Sequence, residues 1–333
     1  MENIRAKTVD PGLRSSHVGA VHLAKCLSGA KISGNARGSG TLSFEPSIIE
    51  GGEYSIDIGL ISKGSPSLVS SIVQAVLPIM VCGKKPSLLT MKGGTHSPDD
   101  ISVTYMKEIF LPYLKRFLGI NASLEIIRYG WHGDGEIVLK ADPIILPIKN
   151  KVINKRGEIK NLELYITYSN LNQSRITDVK KLASTSKTDL NRYCCPHQIY
   201  MDDVTERSSQ ISAVEMLFKV EYHKISVGFA DTVNLTEKYD EDRTLQNLWN
   251  TILNKFFFYE QSNAVLDENL SDMIIPYFAC ANGLSSYTTP TITNHLNRAV
   301  SIANCFLGND ANVQIIGKHG EFGEIIINGA IKL

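Results

Sequence analysis

The chain has 333 residues, of which 43% are hydrophobic and 20% are charged, a balance typical of a globular protein with a buried core. Its 34 basic and 34 acidic side chains cancel, so no overall field draws it to nucleic acid or to an anionic membrane, and any such contact must be local. No apolar run is long enough to span a membrane, and the first residues lack the apolar centre of a secretory signal, so we expect a cytoplasmic protein.

A helix followed by two strands is predicted near the beginning of the chain. The helix covers PGLRSSHVGAVHLAKCLSG, residues 11–29, and the strands AKISG and TLSFE flank a turn that contains Gly38 and Gly40. Glycine ends the helix and opens the turn because it adopts backbone conformations that other residues avoid.

The same order of elements occurs again after a short apolar helix, IVQAVLP, that carries Gln74. The second helix is SPDDISVTYMKEIFLPYLKRFLG, residues 97–119, and the strands ASLEIIRYG and EIVLKA flank Gly133 and Gly135. An amide in an apolar helix needs a hydrogen-bond partner, so we expect Gln74 to contact either a neighbouring backbone group or a nucleotide.

A region of different texture follows, and we predict that residues 190–260 form an inserted α/β domain between the core segments 1–189 and 261–333. QIYMDDV and the alternating run SAVEMLFKVEYHKISVGFA are typical of strands, and LQNLWNTILNKFFFY is typical of a helix. Its CCPH segment, residues 194–197, has no second cluster to complete four metal ligands. The other four cysteines lie in apolar or helical surroundings and are expected to be buried thiols.

The third copy begins at TTPTITNHLNRAVSIAN, residues 288–304. Apolar residues at three- and four-residue spacing predict an amphipathic helix that stops at Gly308, and the strands ANVQIIG and EIIING flank Gly320 and Gly323. His295 lies at the start of this helix, where outward N–H groups favour a neutral imidazole and a bound phosphate. By position alone, His295 is either a nucleophile facing a phosphate or a polar residue near a helix cap.

Three copies of a helix-strand-strand unit predict three similar sheets, each backed by helices. The expected fold class is therefore α/β of the α+β type, with three repeated helix-backed β-sheet units and a smaller inserted α/β domain.

Several stretches, taken in order, resemble the RNA 3'-terminal phosphate cyclase family. NIRAKTVDPGLRSSH is similar to the family's I-R-A-x-R-x-x-P-G-L-x-x-Q-H segment, KGGTHSP to its G-G-T segment, and IVQAVLP to its Q-x-V-L-P helix. LSDMIIPYFACANG resembles its D-Q-L…A-x-A-x-G helix, and NHLNRAVSIANCF falls where the family carries its histidine nucleophile. The order and spacing of these stretches carry the resemblance.

The resemblance implies an ATP-dependent enzyme of RNA processing, a ligase that forms a phosphoric ester at RNA 3' ends. In the family, the histidine attacks the α-phosphate of ATP, and AMP remains on the ring after pyrophosphate leaves. AMP then passes to the RNA 3'-phosphate, which the neighbouring 2'-hydroxyl attacks to give a 2',3'-cyclic phosphate. The resemblance assigns the nucleophile to His295 and implies ATP and a divalent metal, Mg²⁺ or Mn²⁺, as cofactors.

The resemblance also implies that four residues bind the nucleotide or the RNA phosphate: Arg5, Arg14, Gln74 and Asp272. A guanidinium such as that of Arg5 suits a phosphate, although a surface arginine is the alternative, and Arg14 adds positive charge nearby. Asp272 is expected to cap the helix MIIPYFACANG and to share one cleft with His295 and Arg5. His17 lies on the helix that begins near Pro11, so we expect a packed histidine, with contact to a phosphate as the alternative.

The sequence also departs from the family pattern. Thr8 replaces the second arginine of the opening motif, Ser16 replaces its glutamine, and Met273 replaces the glutamine after the aspartate. The family's glycine-rich D-G-x-x-G-E-G-G-G-Q segment belongs before the point at which this chain begins. Each lost polar contact weakens the binding of an anion such as ATP. Two hypotheses therefore stand: a working cyclase, and a non-catalytic relative that binds RNA or a partner protein on the same scaffold.

Overall fold

The computed structural model describes residues 1–61, 68–98, 100–131, 133–235, 245–307 and 312–330, which form two compact units. The first unit comprises Met1–Lys107, Gly119–Ile144 and Val204–Ile211, and the second comprises Glu108–Leu118, Ile145–Asp203 and Ser212–Leu333. Gly308, the glycine expected to stop the third helix, lies outside the described residues. Among the described helices, none has both the length and the apolar character needed to cross a bilayer.

The first predicted helix and its two strands are present in the first unit. Helix α1 covers Ser15–Ser28 and ends at Gly29, which adopts the left-handed conformation with φ 59°. Strands β1 (Lys31–Ser33) and β2 (Ser43–Glu45) pair antiparallel. This sheet has two strands, unlike the four-stranded sheets of the other repeats, and residues 1–14 contain turns and bends but no strand. The expectation of three similar sheets is therefore wrong for the first repeat.

The second repeat is a four-stranded sheet. Its elements are β3 (Gly52–Asp57), α2 (Ile58–Ile61), α3 (Val69–Met80), β4 (Ser87–Gly93), β5 (Ala122–Arg128) and β6 (Gly135–Ala141). The strand order is β3-β4-β6-β5, with β4 parallel to β3 and antiparallel to β6. Helix α3 packs on β4 and β6, and α1 packs on α3.

The predicted second helix is a run of four pieces between β4 and β5. They are α4 (Val103–Tyr105), a π-helical turn (Met106–Phe110), α5 (Leu111–Tyr113) and a second π-helical turn (Leu114–Leu118). Pro112 lies in this run and has no backbone N–H, so the regular hydrogen-bond ladder is interrupted there.

A second four-stranded sheet occupies the middle of the chain. The short strand β7 (Ile148–Lys149) precedes β8 (Ile159–Ser169), α6 (Gln173–Leu190), β9 (His197–Asp203), β10 (Ala213–Tyr222), β11 (Ser226–Asn234) and α7 (Leu245–Ser262). The strand order is β11-β10-β8-β9, and the two helices pack on this sheet. Its aromatic core joins Phe218 to Phe256 and Trp249, with ring centroids 5.2 and 5.7 Å apart.

The strand pairing extends this middle sheet beyond the predicted limits of the inserted domain. β8 and most of α6 precede Leu190, yet they share a sheet and a helix layer with β9, β10, β11 and α7. The division at residues 190–260 stays a prediction, and the sheet itself begins at Ile159.

The third repeat returns to the sheet that β7 begins. It contains α8 (Glu268–Met273), α9 (Ile275–Ala279), β12 (Ala281–Thr289), α10 (Asn294–Leu307), β13 (Asn312–Gly317) and β14 (Gly323–Ala330). The strand order β7-β12-β14-β13 repeats the order and directions of β3-β4-β6-β5. Helices α8, α9 and α10 pack on this sheet and on one another.

The predicted fold class, a mixture of helix-backed sheets in repeated units, is confirmed. The expected burial of four cysteines is largely wrong, since Cys26, Cys82 and Cys305 are exposed and Cys280 is partly exposed. Cys26 and Cys305 lie on α1 and α10 away from the buried residues of those helices, among them Leu23 and Leu27 on α1 and Leu296 and Val300 on α10.

Candidate functional site

Helix α10 presents His295 in its first turn. The cap is Thr293, whose hydroxyl accepts a hydrogen bond of 3.0 Å from the Leu296 N–H. His295 is exposed and is not the capping residue. The N–H groups of Asn294 and His295 make no hydrogen bond within the described part of the chain, so they are free to meet an anion.

A buried isoleucine fixes the chain that enters α10. The Ile292 N–H donates to Glu321 O at 2.8 Å, and the Gly320 N–H donates to Ile292 O at 3.0 Å. The Ile292 side chain fills the space beside Gly317 and Gly323, where an added Cβ would lie 2.8 and 2.5 Å from it. These two glycines therefore allow the hairpin of β13 and β14 to hold the start of α10.

Asp267 rather than Asp272 caps the neighbouring helix α8. Its Oδ1 accepts hydrogen bonds from the N–H groups of Asn269 and Leu270 at 3.0 and 2.9 Å, and its Oδ2 accepts from Gly228 N at 3.2 Å. The expectation that Asp272 caps a helix is therefore wrong. Asp272 lies in the last turn of α8, because the helix begins earlier than the apolar pattern suggested.

The Asp272 carboxyl has an unusual pKa. Burial, and after it the nearby carboxylates of Asp267 and Glu268, together raise the Asp272 pKa from 3.8 to about 7. The backbone N–H groups of Asp272 and Met273 favour the charged form but do not outweigh burial. Asp272 can therefore exchange a proton near neutral pH.

The elements that carry Asp272 and His295 are linked within the second unit. Helix α8 packs against α10. Thr289, at the end of β12, has its hydroxyl 3.2 Å from both Ser271 Oγ and Thr291 O, and the Tyr287 hydroxyl donates to Ser271 O. The residue before Asp272 is thus joined by hydrogen bonds to the segment that leads into His295.

Arg5 and Arg14 share a carboxylate in the first unit. Asp10 Oδ2 lies 3.7 Å from Arg5 Nη1 and 3.9 Å from Arg14 Nε, and Arg5 Nη1 also donates to Gly12 O at 3.1 Å. The Arg5 side chain is 18% exposed and that of Arg14 is 60% exposed. Arg14 is the more accessible of the two cations.

His17 lies beside these arginines. Its ring is exposed rather than packed, and its Nδ1 accepts a hydrogen bond of 3.2 Å from the Arg14 N–H. Partial burial lowers the His17 pKa, and the charges of Arg5 and Arg14 lower it further. Because Nδ1 accepts this bond, the proton of the neutral His17 ring is on Nε2, and the three-residue spacing from Arg14 along the first helical turn is the sequence signal for the contact.

Gln74 lies in α3 and is half-buried. The neighbouring backbone group that the sequence suggested as its partner is not found, and among the described residues its amide makes no hydrogen bond. Gln74 belongs to the first unit with Arg5 and Arg14, whereas Asp272 and His295 belong to the second. The predicted site residues are therefore divided between the two units, and the expectation that His295, Asp272 and Arg5 share one cleft stays a prediction.

Two of the three residues that depart from the family pattern, Thr8 and Met273, are engaged within the protein. The Thr8 hydroxyl lies 2.9 Å from Arg5 O and from Asp10 O, and Met273 is buried. No three His, Cys, Asp or Glu side chains within the described ranges are grouped so that they could hold a metal.

Comparison with known proteins agrees with the family that the sequence motifs resemble. A model of the RNA 3'-terminal phosphate cyclase family matches residues 1–313. The chain is 28% identical to an RNA 3'-terminal phosphate cyclase of Staphylothermus marinus, over 98% of this chain and 89% of that protein. It is 29% identical to one of Caldivirga maquilingensis over 94% and 85%, and 27% identical to one of Pseudomonas fluorescens over 92% and 84%. The chain belongs to the RNA 3'-terminal phosphate cyclase family.

Proposed function

We propose that this protein uses ATP to convert an RNA 3'-terminal phosphate to a 2',3'-cyclic phosphate, with AMP carried on His295. The observation that carries the proposal is the exposed His295 ring in the first turn of α10, next to two unpaired backbone N–H groups. A ring nitrogen there can attack phosphorus while the N–H groups stabilise the phosphate oxygens.

The reaction takes three displacements at phosphorus. A nitrogen of His295 bonds to the α-phosphorus of ATP, the bond to the β-phosphate oxygen breaks, and pyrophosphate leaves. An oxygen of the RNA 3'-phosphate then attacks the same phosphorus, and the phosphorus–nitrogen bond breaks. The 2'-hydroxyl finally attacks the 3'-phosphorus, loses its proton and releases AMP.

The proposal gives the remaining residues roles in binding. The Asp272 carboxyl titrates near pH 7, so it is suited to accept or donate a proton while a charged phosphate group is transferred. Arg14, the more exposed cation, and the half-buried amide of Gln74 bind phosphate or nucleotide. Arg5 joins them when a phosphate replaces Asp10 and the Gly12 carbonyl as its partner.

The described residues do not fit a resident metal ion, since no three-ligand group is present among them. The proposal therefore has the divalent cation, Mg²⁺ or Mn²⁺, enter with the triphosphate of ATP, and no step above depends on it. The six free cysteines suit the reducing cytoplasm.

The test is covalent labelling. Incubation with α-labelled ATP and Mg²⁺ should leave label on the protein through a bond that is labile to acid and stable to alkali. His295→Ala should abolish the label without lowering thermal stability, because the ring is exposed and makes little packing. The control is His22→Ala, which removes another exposed helical histidine and should leave labelling unchanged. Labelling that survives His295→Ala would move the chemistry to another residue.

A second candidate is a non-catalytic relative that binds RNA or a partner protein. The observation that favours it is the state of the matched residues, since Arg5 is held by Asp10 and Gly12 and a buried methionine, Met273, follows Asp272. RNA binding with no label under any condition that supports labelling of a curated relative would select this candidate.

A further inference from the structure

Three segments that are distant in sequence meet at one end of the middle sheet in the second unit. They are the helical end 114–118, the loop 154–158 before β8, and the turn 223–225 between β10 and β11. Arg116 Nη2 donates to His223 O at 3.1 Å. The His223 N–H donates to Glu158 O at 3.1 Å, and the Lys224 N–H donates to Arg156 O at 3.0 Å. These bonds hold the three segments as one surface.

This surface concentrates positive charge, and we call its exposed members the basic end: Lys115, Arg116, Lys155, His223 and Lys224. Four of these residues form no ion pair with a described residue: Lys115, Arg116, Lys155 and Lys224. Glu158 is the single acidic residue of the three segments. Arg156 is not part of the surface, because its side chain is only 12% exposed and is paired with Glu260 at 3.0 Å. In a chain of zero net charge, such a concentration marks a local partner.

Arg116 is positioned without losing its charge. Its partner is a backbone carbonyl rather than a carboxylate, and its Cζ lies 5.4 Å from the centroid of the Phe117 ring. A guanidinium has five N–H donors, so most of them stay available to a second ligand. A fixed fork of donors with uncompensated charge matches the oxygens of a phosphate.

The absence of apolar anchors on the basic end favours a nucleic acid over an acidic protein. The apolar side chains of the three segments are half-buried or buried, as Phe117 and Ile225 are. Protein interfaces draw most of their energy from exposed aromatic and aliphatic anchors, whereas binding to a polyanionic backbone relies on cations and released counterions.

We propose that the basic end binds the phosphate backbone of the RNA substrate upstream of its terminal phosphate, without regard to base sequence. This inference rests on the proposed function, because that function supplies the RNA. The surface would then retain long RNA substrates while the 3' end reacts elsewhere.

The test compares two triple variants of the full chain with equal loss of charge. Lys115→Gln, Lys155→Gln and Lys224→Gln together remove cations of the basic end. Binding of an RNA of about 20 nucleotides with a 3'-hydroxyl is measured by fluorescence anisotropy over a range of salt, without ATP. Each lost phosphate contact lowers the slope of log affinity against log salt by about 0.7, so the slope should fall by about 2. Affinity at low salt should fall about 10-fold or more.

The matched control removes three lysines from the exposed face of α6, namely Lys180, Lys181 and Lys187, which form no ion pair with described residues. Its affinity for RNA should stay within about threefold of the unmodified chain, since these side chains lie outside the basic end. Equal weakening in the two variants would show a general field effect and overturn the proposal. Unchanged RNA binding in the basic-end variant would also overturn it, and a simultaneous loss of binding to polyglutamate would show that the surface fits an acidic protein.

The outcome is separate from that of the proposed function. The basic-end variant should still take label from ATP at His295, because the three lysines are not in that helix. If the basic-end variant loses RNA binding while neither it nor the unmodified chain takes label, the proposed chemistry is refuted and the proposal for this surface stands. If the basic-end variant takes label and binds RNA as well as the unmodified chain does, only the proposal for this surface is refuted.

Discussion

The half-buried carboxyl of Asp272 predicts that the free energy of unfolding depends on pH in a particular direction. Its pKa rises from 3.8 to about 7 on folding, and each pKa unit corresponds to about 1.4 kcal/mol, so the ionised carboxyl costs at most about 4 kcal/mol. The carboxyl is partly exposed and water screens it, so we expect about half that value, about 2 kcal/mol.

The sign follows from which state loses its proton first. As pH rises above about 4 the unfolded chain ionises at this residue while the folded chain does not, so the free energy of unfolding falls until about pH 7 and is then level. Asp272→Asn keeps the site neutral. We therefore expect this variant to be more stable than the unmodified chain by about 2 kcal/mol at pH 8, with the difference shrinking towards zero near pH 4.

Urea unfolding followed by tryptophan fluorescence at several pH values measures this difference. Other groups titrate over the same range, but they cancel when the variant and the unmodified chain are compared at each pH. The control is Asp178→Asn on the exposed face of α6, for which the difference should not follow this pattern. An Asp272→Asn variant that is less stable at pH 8, or whose difference is the same at every pH, would refute the reasoning.

Three further substitutions test internal contacts of the second unit. Arg156→Met should lower the free energy of unfolding by about 2 to 4 kcal/mol, because it leaves Glu260 and three backbone carbonyls without their partly buried partner. The control is Lys160→Met, which removes the exposed pair with Glu221 and should lower the free energy of unfolding by less than about 1 kcal/mol in the same urea titration. Thr293→Ala should lower the free energy of unfolding by about 1 kcal/mol and slow the labelling of His295, because it removes the cap of α10. Thr293→Ser keeps a hydroxyl and should leave stability and labelling unchanged. Equal losses in the two variants would exclude the capping role. Gly323→Ala should lower the melting temperature by several degrees, because its Cβ would lie 2.5 Å from the isoleucine that anchors α10, whereas Gly40→Ala meets no atom and should have little effect.

The order of helices and strands could be predicted because their signals are local. Glycine at a helix end and in the following turn, together with apolar periodicity, identified α1, α10 and the strand pairs after them. Sheet partners could not be predicted in this way. The pairing of β8 with β9 and β10 joins segments on both sides of Leu190, and no pattern within either segment records its partner.

The candidate site shows the same division between local and distant information. Position in a helical pattern was enough to place His295 in a first turn, and the motif order was enough to name the family. The true cap of α8, Asp267, was missed because the apolar pattern starts later than the helix does. The shared carboxylate of Asp10 and the packing of α8 against α10 depend on how the chain folds back, which the sequence pattern does not record.

The short strand β7 has a consequence for the order in which the third repeat assembles. β7 pairs with β12 through Ile148 and Ala281, and the whole middle sheet with α6 and α7 lies within the loop that this pairing closes. Closing a long flexible loop costs conformational entropy, and a compact intervening unit shortens the distance the chain must search. β7 should therefore dock last and open first, with faster amide hydrogen exchange at Lys149 than along β14, and loosening the middle sheet should loosen β7 with it.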